Sequence, residues 1–102
     1  MDERQRGYIF RGLVYNDALE HYGRKHQSVI ALEELSEAQK EVCKFLRGEG
    51  DIDHLAEEVA DAFIMLEQVE RMYGITDKVT REMEKKVLRL SRRIQTDKEG
   101  GS

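Results

Sequence analysis

Apolar residues recur every three or four positions along most of the chain, and this spacing constrains the fold more than any other feature. No stretch sustains the alternation of apolar and polar residues that is typical of a half-buried strand. The chain also lacks proline, the residue that most often interrupts a helix. The pattern predicts an all-α protein, an antiparallel bundle of about four helices. Their predicted ranges are 3–22, 28–48, 51–73 and 76–94.

Residues with known capping and turn preferences mark the predicted helix ends. Gly23 is expected to end the first helix, and Ser28 is a good N-cap for the second. The run Arg-Gly-Glu-Gly-Asp at 47–51 predicts a turn, after which Asp51 or Asp53 caps the third helix. Gly74 suits the position after the end of that helix, and Thr76 the N-cap of the fourth.

The length of 102 residues indicates one domain, predicted over residues 1–95, followed by a disordered tail over 96–102. A helical chain this small often completes its core by pairing with a copy of itself, so we expect a homo-oligomer. No apolar run approaches 18 residues, which predicts no membrane span. The single Cys43 provides no disulfide framework and favours a cytoplasmic protein.

Helical spacing also predicts which faces turn inward, and the third helix is apolar over so much of its circumference that it should be the central one. The stripe that carries Glu58 and Asp61 also contains His54, Met65 and Met72, and it flanks the main apolar arc of this helix. The predicted inward residues are Tyr8, Ile9, Leu13 and Val14 in the first helix, Ala31, Leu35, Ala38, Val42, Phe45 and Leu46 in the second, Leu55, Val59, Ala62, Phe63, Leu66 and Val69 in the third, and Val79, Met83, Val87, Leu90 and Ile94 in the fourth.

Two acidic triplets, Glu-Glu-x-x-Glu at 33–37 and Glu-Glu-x-x-Asp at 57–61, border these apolar arcs. Residues three or four apart share a helix face, and a short turn makes the two helices antiparallel neighbours, so the triplets should meet. Converging carboxylates repel one another and are costly to desolvate. A divalent cation relieves both effects, and all-oxygen ligands favour Mg²⁺ or Mn²⁺. The predicted metal ligands are Glu34, Glu37, Glu58 and Asp61.

Charge is segregated along the chain. Residues 33–61 contain ten acidic and three basic residues, whereas residues 71–95 contain three acidic and eight basic ones. Lys86 and Arg89 form a basic stripe beside the apolar face of the fourth helix. This stripe has two interpretations: it holds the phosphates of a substrate, or it pairs with the acidic helices.

The paired acidic motifs, twenty residues apart, resemble the signature of the MazG-type all-α nucleoside triphosphate pyrophosphohydrolases. The resemblance covers residues 26–94 and extends to Lys-Phe-Leu-Arg-Gly at 44–48, Ala-Asp-Ala-Phe-Ile-Met-Leu at 60–66 and Lys-x-x-Arg-Leu-x-x-Arg at 86–93. It implies that the four acids bind Mg²⁺ or Mn²⁺, and that a nucleoside triphosphate is cleaved to a monophosphate and pyrophosphate. It also implies a homodimer or homotetramer.

Within that chemistry, Glu33 and Glu37 are the two candidates for the general base, since a carboxylate not committed to metal can accept the proton of a water molecule. Lys86 and Arg89 are the candidates for binding the β and γ phosphates.

Three other kinds of protein are alternatives to this interpretation. A non-catalytic helical oligomer that keeps the same fold stays open as the alternative function. A di-iron bundle requires Glu-x-x-His on two helices, and this chain has no such motif. A nucleic-acid binder is disfavoured by the net charge of −4 and by the lack of an aromatic platform.

Overall fold

The computed structural model describes residues 1–100, and these form four α-helices and no strand. The all-α prediction is therefore confirmed for this part of the chain. The helices are α1 (Glu3–Tyr22), α2 (Arg24–Leu46), α3 (Ile52–Tyr73) and α4 (Thr76–Lys98). None of them combines the length and the apolar character that crossing a bilayer requires.

Most of the predicted helix ends are found, and each has a local cause. Asp2 forms a capping box at the start of α1, where its side chain accepts a hydrogen bond from the backbone N–H of Gln5 at 2.8 Å. The Asp51 side chain accepts from the backbone N–H of Asp53 at 3.2 Å, so Asp51 is the N-cap of α3 among the two predicted candidates. Gly74 has φ 63° and ends α3 in the left-handed conformation that glycine adopts without strain.

Two predicted N-caps are wrong. Helix α2 begins at Arg24, directly after Gly23, whose φ of 89° lets the chain leave one helix and enter the next across a single residue. Ser28 therefore lies one turn inside α2, where its hydroxyl is 3.3 Å from the Tyr73 hydroxyl on α3. Thr76 is the first residue of α4, and Ile75 is its N-cap.

The C-terminal end of α4 also differs from the prediction. The helix continues to Lys98, so residues 96–98 of the predicted disordered tail are helical. Side-chain hydrogen bonds within the last turns support this extension: the Thr96 hydroxyl donates to the Arg92 carbonyl, and Gln95 donates to Glu99. Residues 101 and 102 of the predicted tail lie outside the described residues.

The main packing contact is an antiparallel hairpin of α2 and α3. Residue numbers that rise along α2 meet residue numbers that fall along α3, so that Gln27 contacts Gln68 and Glu41 contacts His54. The small interior of the chain contains both apolar and polar side chains. Its buried members are Gly12, Tyr15, Ala31, Met65 and Met72, together with Gln27, Glu41 and Gln68.

The predicted inward face of α3 is wrong for the single chain. Phe63 on that face is 64% exposed, and Val59 and Leu66 are also exposed. The flanking stripe that contains Met65 and Met72 faces α2 instead. This choice has a physical reason, because α3 is apolar on two sides and a single neighbouring helix can cover only one of them.

Exposed apolar side chains continue along α1 and α4. Tyr8, Ile9 and Leu13 of α1 are exposed, contrary to the prediction, and none of the residues of α4 is buried. The radius of gyration is 17.1 Å, whereas a compact domain of about 100 residues has about 13 Å. The single chain is thus an elongated hairpin of helices, measuring 53 × 35 × 31 Å, with large apolar faces uncovered.

Candidate metal centre

Three carboxylates meet at the middle of the α2–α3 hairpin. Glu34 projects from α2 and Glu58 and Asp61 project from α3, and one oxygen from each lies within 4.8 Å of the others. The antiparallel register accounts for this meeting, because residue 34 of α2 stands at the height of residues 58–61 of α3. We refer to Glu34, Glu58 and Asp61 as the acidic trio.

Glu58 is the most buried member of the acidic trio, and one of its oxygens is unsatisfied. Its side chain is 15% exposed. Its Oε2 atom is inaccessible to solvent and has no hydrogen-bond partner among residues 1–100. A buried carboxylate oxygen without a donor is costly, and a bound cation removes that cost.

The surroundings of Glu34 also favour a bound cation. Desolvation raises the pKa of Glu34 above its ordinary value, and the negative charges of Asp61, Glu58 and Glu37 raise it further. The surroundings therefore disfavour the ionised form of Glu34 when no cation is bound. Its three oxygen ligands match the preference of Mg²⁺ and Mn²⁺ for carboxylates, so the residues fit such an ion.

Glu37 and Glu33, also predicted for the site, lie outside the acidic trio. Glu37 is half-exposed, and its Oε1 lies 3.7 Å from the ammonium of Lys40 one turn further along α2. Glu33 is exposed on the same helix. Their roles as a fourth ligand and as the general base stay predictions.

Lys86 and Arg89 are exposed on α4, and neither forms a salt bridge within residues 1–100. Lys86 borders a shallow apolar surface with Val79 and Met83. The pairing with the acidic helices is therefore not formed within the described part of one chain, and phosphate binding by the two residues stays a prediction.

A second polar group, next to the acidic trio, was not among the predicted sites. Glu41 is 5% exposed, and its Oε2 lies 3.2 Å from the Lys44 ammonium and 3.6 Å from His54 Nε2. The same nitrogen of His54 lies 3.9 Å from Glu58 Oε1. Sequence spacing could have indicated Glu41, since it stands seven residues after Glu34 and so lies on the same face of α2.

A third polar group joins α1 to α3 and has the character of a structural contact. Glu67 Oε1 accepts a hydrogen bond from the Tyr15 hydroxyl at 2.6 Å, and both of its oxygens accept from Arg11 at 3.2 and 3.4 Å. The Arg71 guanidinium lies over the Tyr15 ring and against the buried Gly12, where any side chain would collide with it. Tyr15 and Arg11 are 52 and 56 residues away from Glu67 in the sequence, so no local pattern could indicate these contacts.

The contacts shift the pKa values of this third group in opposite directions. Burial raises the pKa of Tyr15 to about 12, and the hydrogen bond to Glu67 adds to the effect. Burial alone would raise the pKa of Glu67, but the hydrogen bonds from Tyr15 and Arg11 outweigh it and lower that pKa.

Comparisons with protein-family models, with curated proteins and with solved structures found no match to this chain.

Proposed function

We propose that this protein is a MazG-like, divalent-metal-dependent hydrolase that cleaves nucleoside triphosphates to nucleoside monophosphate and pyrophosphate. The observation that carries the proposal is the convergence of Glu34, Glu58 and Asp61, one of which, Glu58, has a buried oxygen without a partner among residues 1–100. Glu34 and Glu58 are partly buried, and no lysine or arginine among residues 1–100 forms a salt bridge with any of the three acids. The one basic group near them in this range is His54, whose Nε2 lies 3.9 Å from Glu58 Oε1.

The substrate class comes from the resemblance of the paired acidic motifs to the MazG-type pyrophosphohydrolases, and the charges are compatible with it. A nucleoside triphosphate carries about four negative charges, which carboxylates alone would repel. Held by Glu34, Glu58 and Asp61, a Mg²⁺ or Mn²⁺ ion would supply positive charge between the carboxylates and the phosphates and would make the α-phosphorus more electrophilic. The chain adds an exposed basic stripe on α4, where Lys86 and Arg89 are available for the β and γ phosphates.

The reaction needs one further group from the chain. A water molecule attacks the α-phosphorus, the bond to the oxygen that bridges the α and β phosphates breaks, and pyrophosphate leaves. Glu33 or Glu37 accepts the proton of the attacking water. Both lie on α2 beside the acidic trio, and both are exposed, as a carboxylate outside the metal site would be.

Self-association is part of the proposal. Apolar faces of α1, α3 and α4 are uncovered in the single chain, and the radius of gyration exceeds that of a compact domain of this length. A homodimer or homotetramer would bury these faces. Packing α4 against the hairpin of another copy would also bring basic residues towards acidic ones.

The alternative function is a non-catalytic helical oligomer with the same fold, which the extent of exposed apolar surface favours. This alternative gives no account of the unsatisfied oxygen of Glu58, which a metal centre explains.

The proposal is tested with a panel of ribo- and deoxynucleoside triphosphates in the presence of Mg²⁺, with pyrophosphate and phosphate release measured separately. We expect pyrophosphate and nucleoside monophosphate from at least one substrate, and loss of activity when a chelator is added. Release of phosphate alone would exclude cleavage at the α–β bond. No hydrolysis of any member, with Mg²⁺ bound, would favour the non-catalytic alternative.

A further inference from the structure

We propose that a second copy of this chain covers α4, and that the apolar face of α4 packs on the outer face of α3 in that copy. The outer face of α3 is its exposed apolar side away from α2, formed by Ile52, Val59, Phe63 and Leu66. The apolar face of α4 is formed by Val79, Met83, Val87, Leu90 and Ile94. The inference specifies the self-association within the proposed function and rests on none of its chemistry.

Helix α4 has no partner along most of its length in the single chain. Its partly covered residues, Thr76 and Val79, lie at its start, and every later residue of the helix is exposed. An amphipathic helix of 23 residues gains most of its stability from the burial of its apolar face. The apolar face of α4 therefore needs a surface that the hairpin of its own chain does not cover it with.

The accessible surface indicates how large the missing contact is. The chain exposes 8256 Å², whereas a compact monomer of the same mass exposes about 5,900 Å². The difference, about 2,300 Å² for each chain, agrees with the roughly 2,000–5,000 Å² that the two copies of an obligate homodimer bury together. Two copies that each place α4 on the α3 of the other form a closed two-fold dimer, in which this contact occurs twice.

The two faces match in length and in character. The outer face of α3 spans residues 52–66 and the apolar face of α4 spans residues 79–94, so each is about 21–23 Å long. Phe63 at the centre of one face is 64% exposed, and Val87 at the centre of the other is 63% exposed. Packing one face on the other removes both side chains from water.

Opposite charges accompany the two faces. Residues 51–61 include five acidic residues and no lysine or arginine, whereas residues 85–93 include five basic residues and no acidic one. When the middles of the faces are aligned, Val59 with Val87, the basic segment lies alongside acidic residues in either helix direction. A second copy is thus favoured over an unrelated apolar partner, because this chain carries both complementary surfaces.

The test is sedimentation of the full-length protein over a range of concentrations. We expect the unmodified protein to have at least twice the mass of one chain, and Val87→Asp to raise the dissociation constant by about 100-fold or more, because a buried charge opposes the contact. Val87 is exposed in the single chain, so the substitution leaves the fold of the monomer intact.

Leu88→Asp is the matched control for Val87→Asp. It adds the same charge at the next residue of α4, which is 51% exposed and lies off the apolar face. This variant should associate as the unmodified protein does. A monomeric unmodified protein, or equal dissociation constants for Val87→Asp and Leu88→Asp, would overturn the proposal.

A disulfide assay identifies the two faces directly. In a Cys43→Ser background, a chain with Val59→Cys is mixed with a tagged chain with Val87→Cys, and the mixture is oxidised with glutathione disulfide. Each chain then has one cysteine, so every protein disulfide joins two copies. We expect a high yield of the mixed dimer, and little of it when Leu88→Cys replaces Val87→Cys. Equal yields from the two pairs would contradict contact between these faces.

Neither measurement depends on hydrolysis. Association through these faces without any triphosphate hydrolysis would remove only the proposed activity. Hydrolysis by a protein whose association is unaffected by Val87→Asp would keep the activity and remove this contact.

Discussion

Two carboxylates of α3, nine residues apart, differ in their hydrogen-bond partners. Glu67 accepts hydrogen bonds from Tyr15 and Arg11, and these lower its pKa. Glu58 is more buried, with 15% of its side chain exposed against 29% for Glu67, yet its Oε2 has no partner among residues 1–100. A carboxylate that stabilises the fold accepts hydrogen bonds from neighbouring side chains. A carboxylate that binds an ion is surrounded by other acids.

Of the substitutions that this comparison suggests, the one at Glu58 should have the largest effect. Glu58→Gln should reduce the turnover of triphosphate hydrolysis by about 100-fold or more, because an amide cannot supply the charge that holds the metal. Helicity by circular dichroism should be unchanged. The matched control is Glu57→Gln, one residue away and 75% exposed, which should keep its activity. Turnover at the unmodified rate in Glu58→Gln would remove Glu58 from the site.

A substitution of Glu67 should lower the stability of the protein rather than its turnover. Glu67→Gln should lower the free energy of unfolding by about 1–2 kcal/mol, since it weakens the bonds from Tyr15 and Arg11. Glu70→Gln, one turn further along α3, is the control and should change stability little. Denaturant unfolding measures the free energy of unfolding of both variants. A stable Glu67→Gln variant with impaired hydrolysis would reverse the roles assigned to the two carboxylates.

The structural character of the Glu67 contact also predicts a pH dependence. The folded pKa of Tyr15 is raised to about 12, above the value of about 10 of an unfolded tyrosine. Its contribution to stability is therefore complete below pH 10 and is lost as the pH rises towards 12, because the unfolded chain releases the proton first. Tyr15→Phe should show a shallower loss of stability over this range, measured by denaturant unfolding at several pH values. Equal slopes in the two proteins would contradict the contact.

The smallest expected effect is at the edge of the acidic trio. Asp61→Asn removes one of three clustered charges, so the metal-free protein should melt at the same temperature or slightly higher. A clear drop in the melting temperature without metal would indicate that Asp61 has a structural partner and that the trio resembles the Glu67 contact.

Local sequence features predicted the helices well and the buried faces poorly. Gly23, Asp51 and Gly74 act within one turn of their own positions, so their effects can be recognised from sequence. The burial of Met65 rather than Phe63 depends on which side of α3 meets α2, and both sides are apolar. Periodicity alone does not distinguish them.

The candidate site also combines features that the local sequence determines with features that depend on helix packing. Glu34, Glu58 and Asp61 could be predicted to meet, because a short turn fixes the register of two neighbouring helices. The bond from Tyr15 to Glu67 joins residues 52 apart and depends on how α1 crosses α3.

The central claim is that the acidic trio binds a divalent cation, and direct titration with Mg²⁺ tests it most closely. Calorimetry on the unmodified protein, Glu58→Gln and Glu67→Gln compares the two carboxylates in one experiment. We predict that the unmodified protein and Glu67→Gln bind Mg²⁺ with similar affinity, and that Glu58→Gln binds it at least about tenfold more weakly. Equal Mg²⁺ affinity in all three proteins would contradict the metal centre.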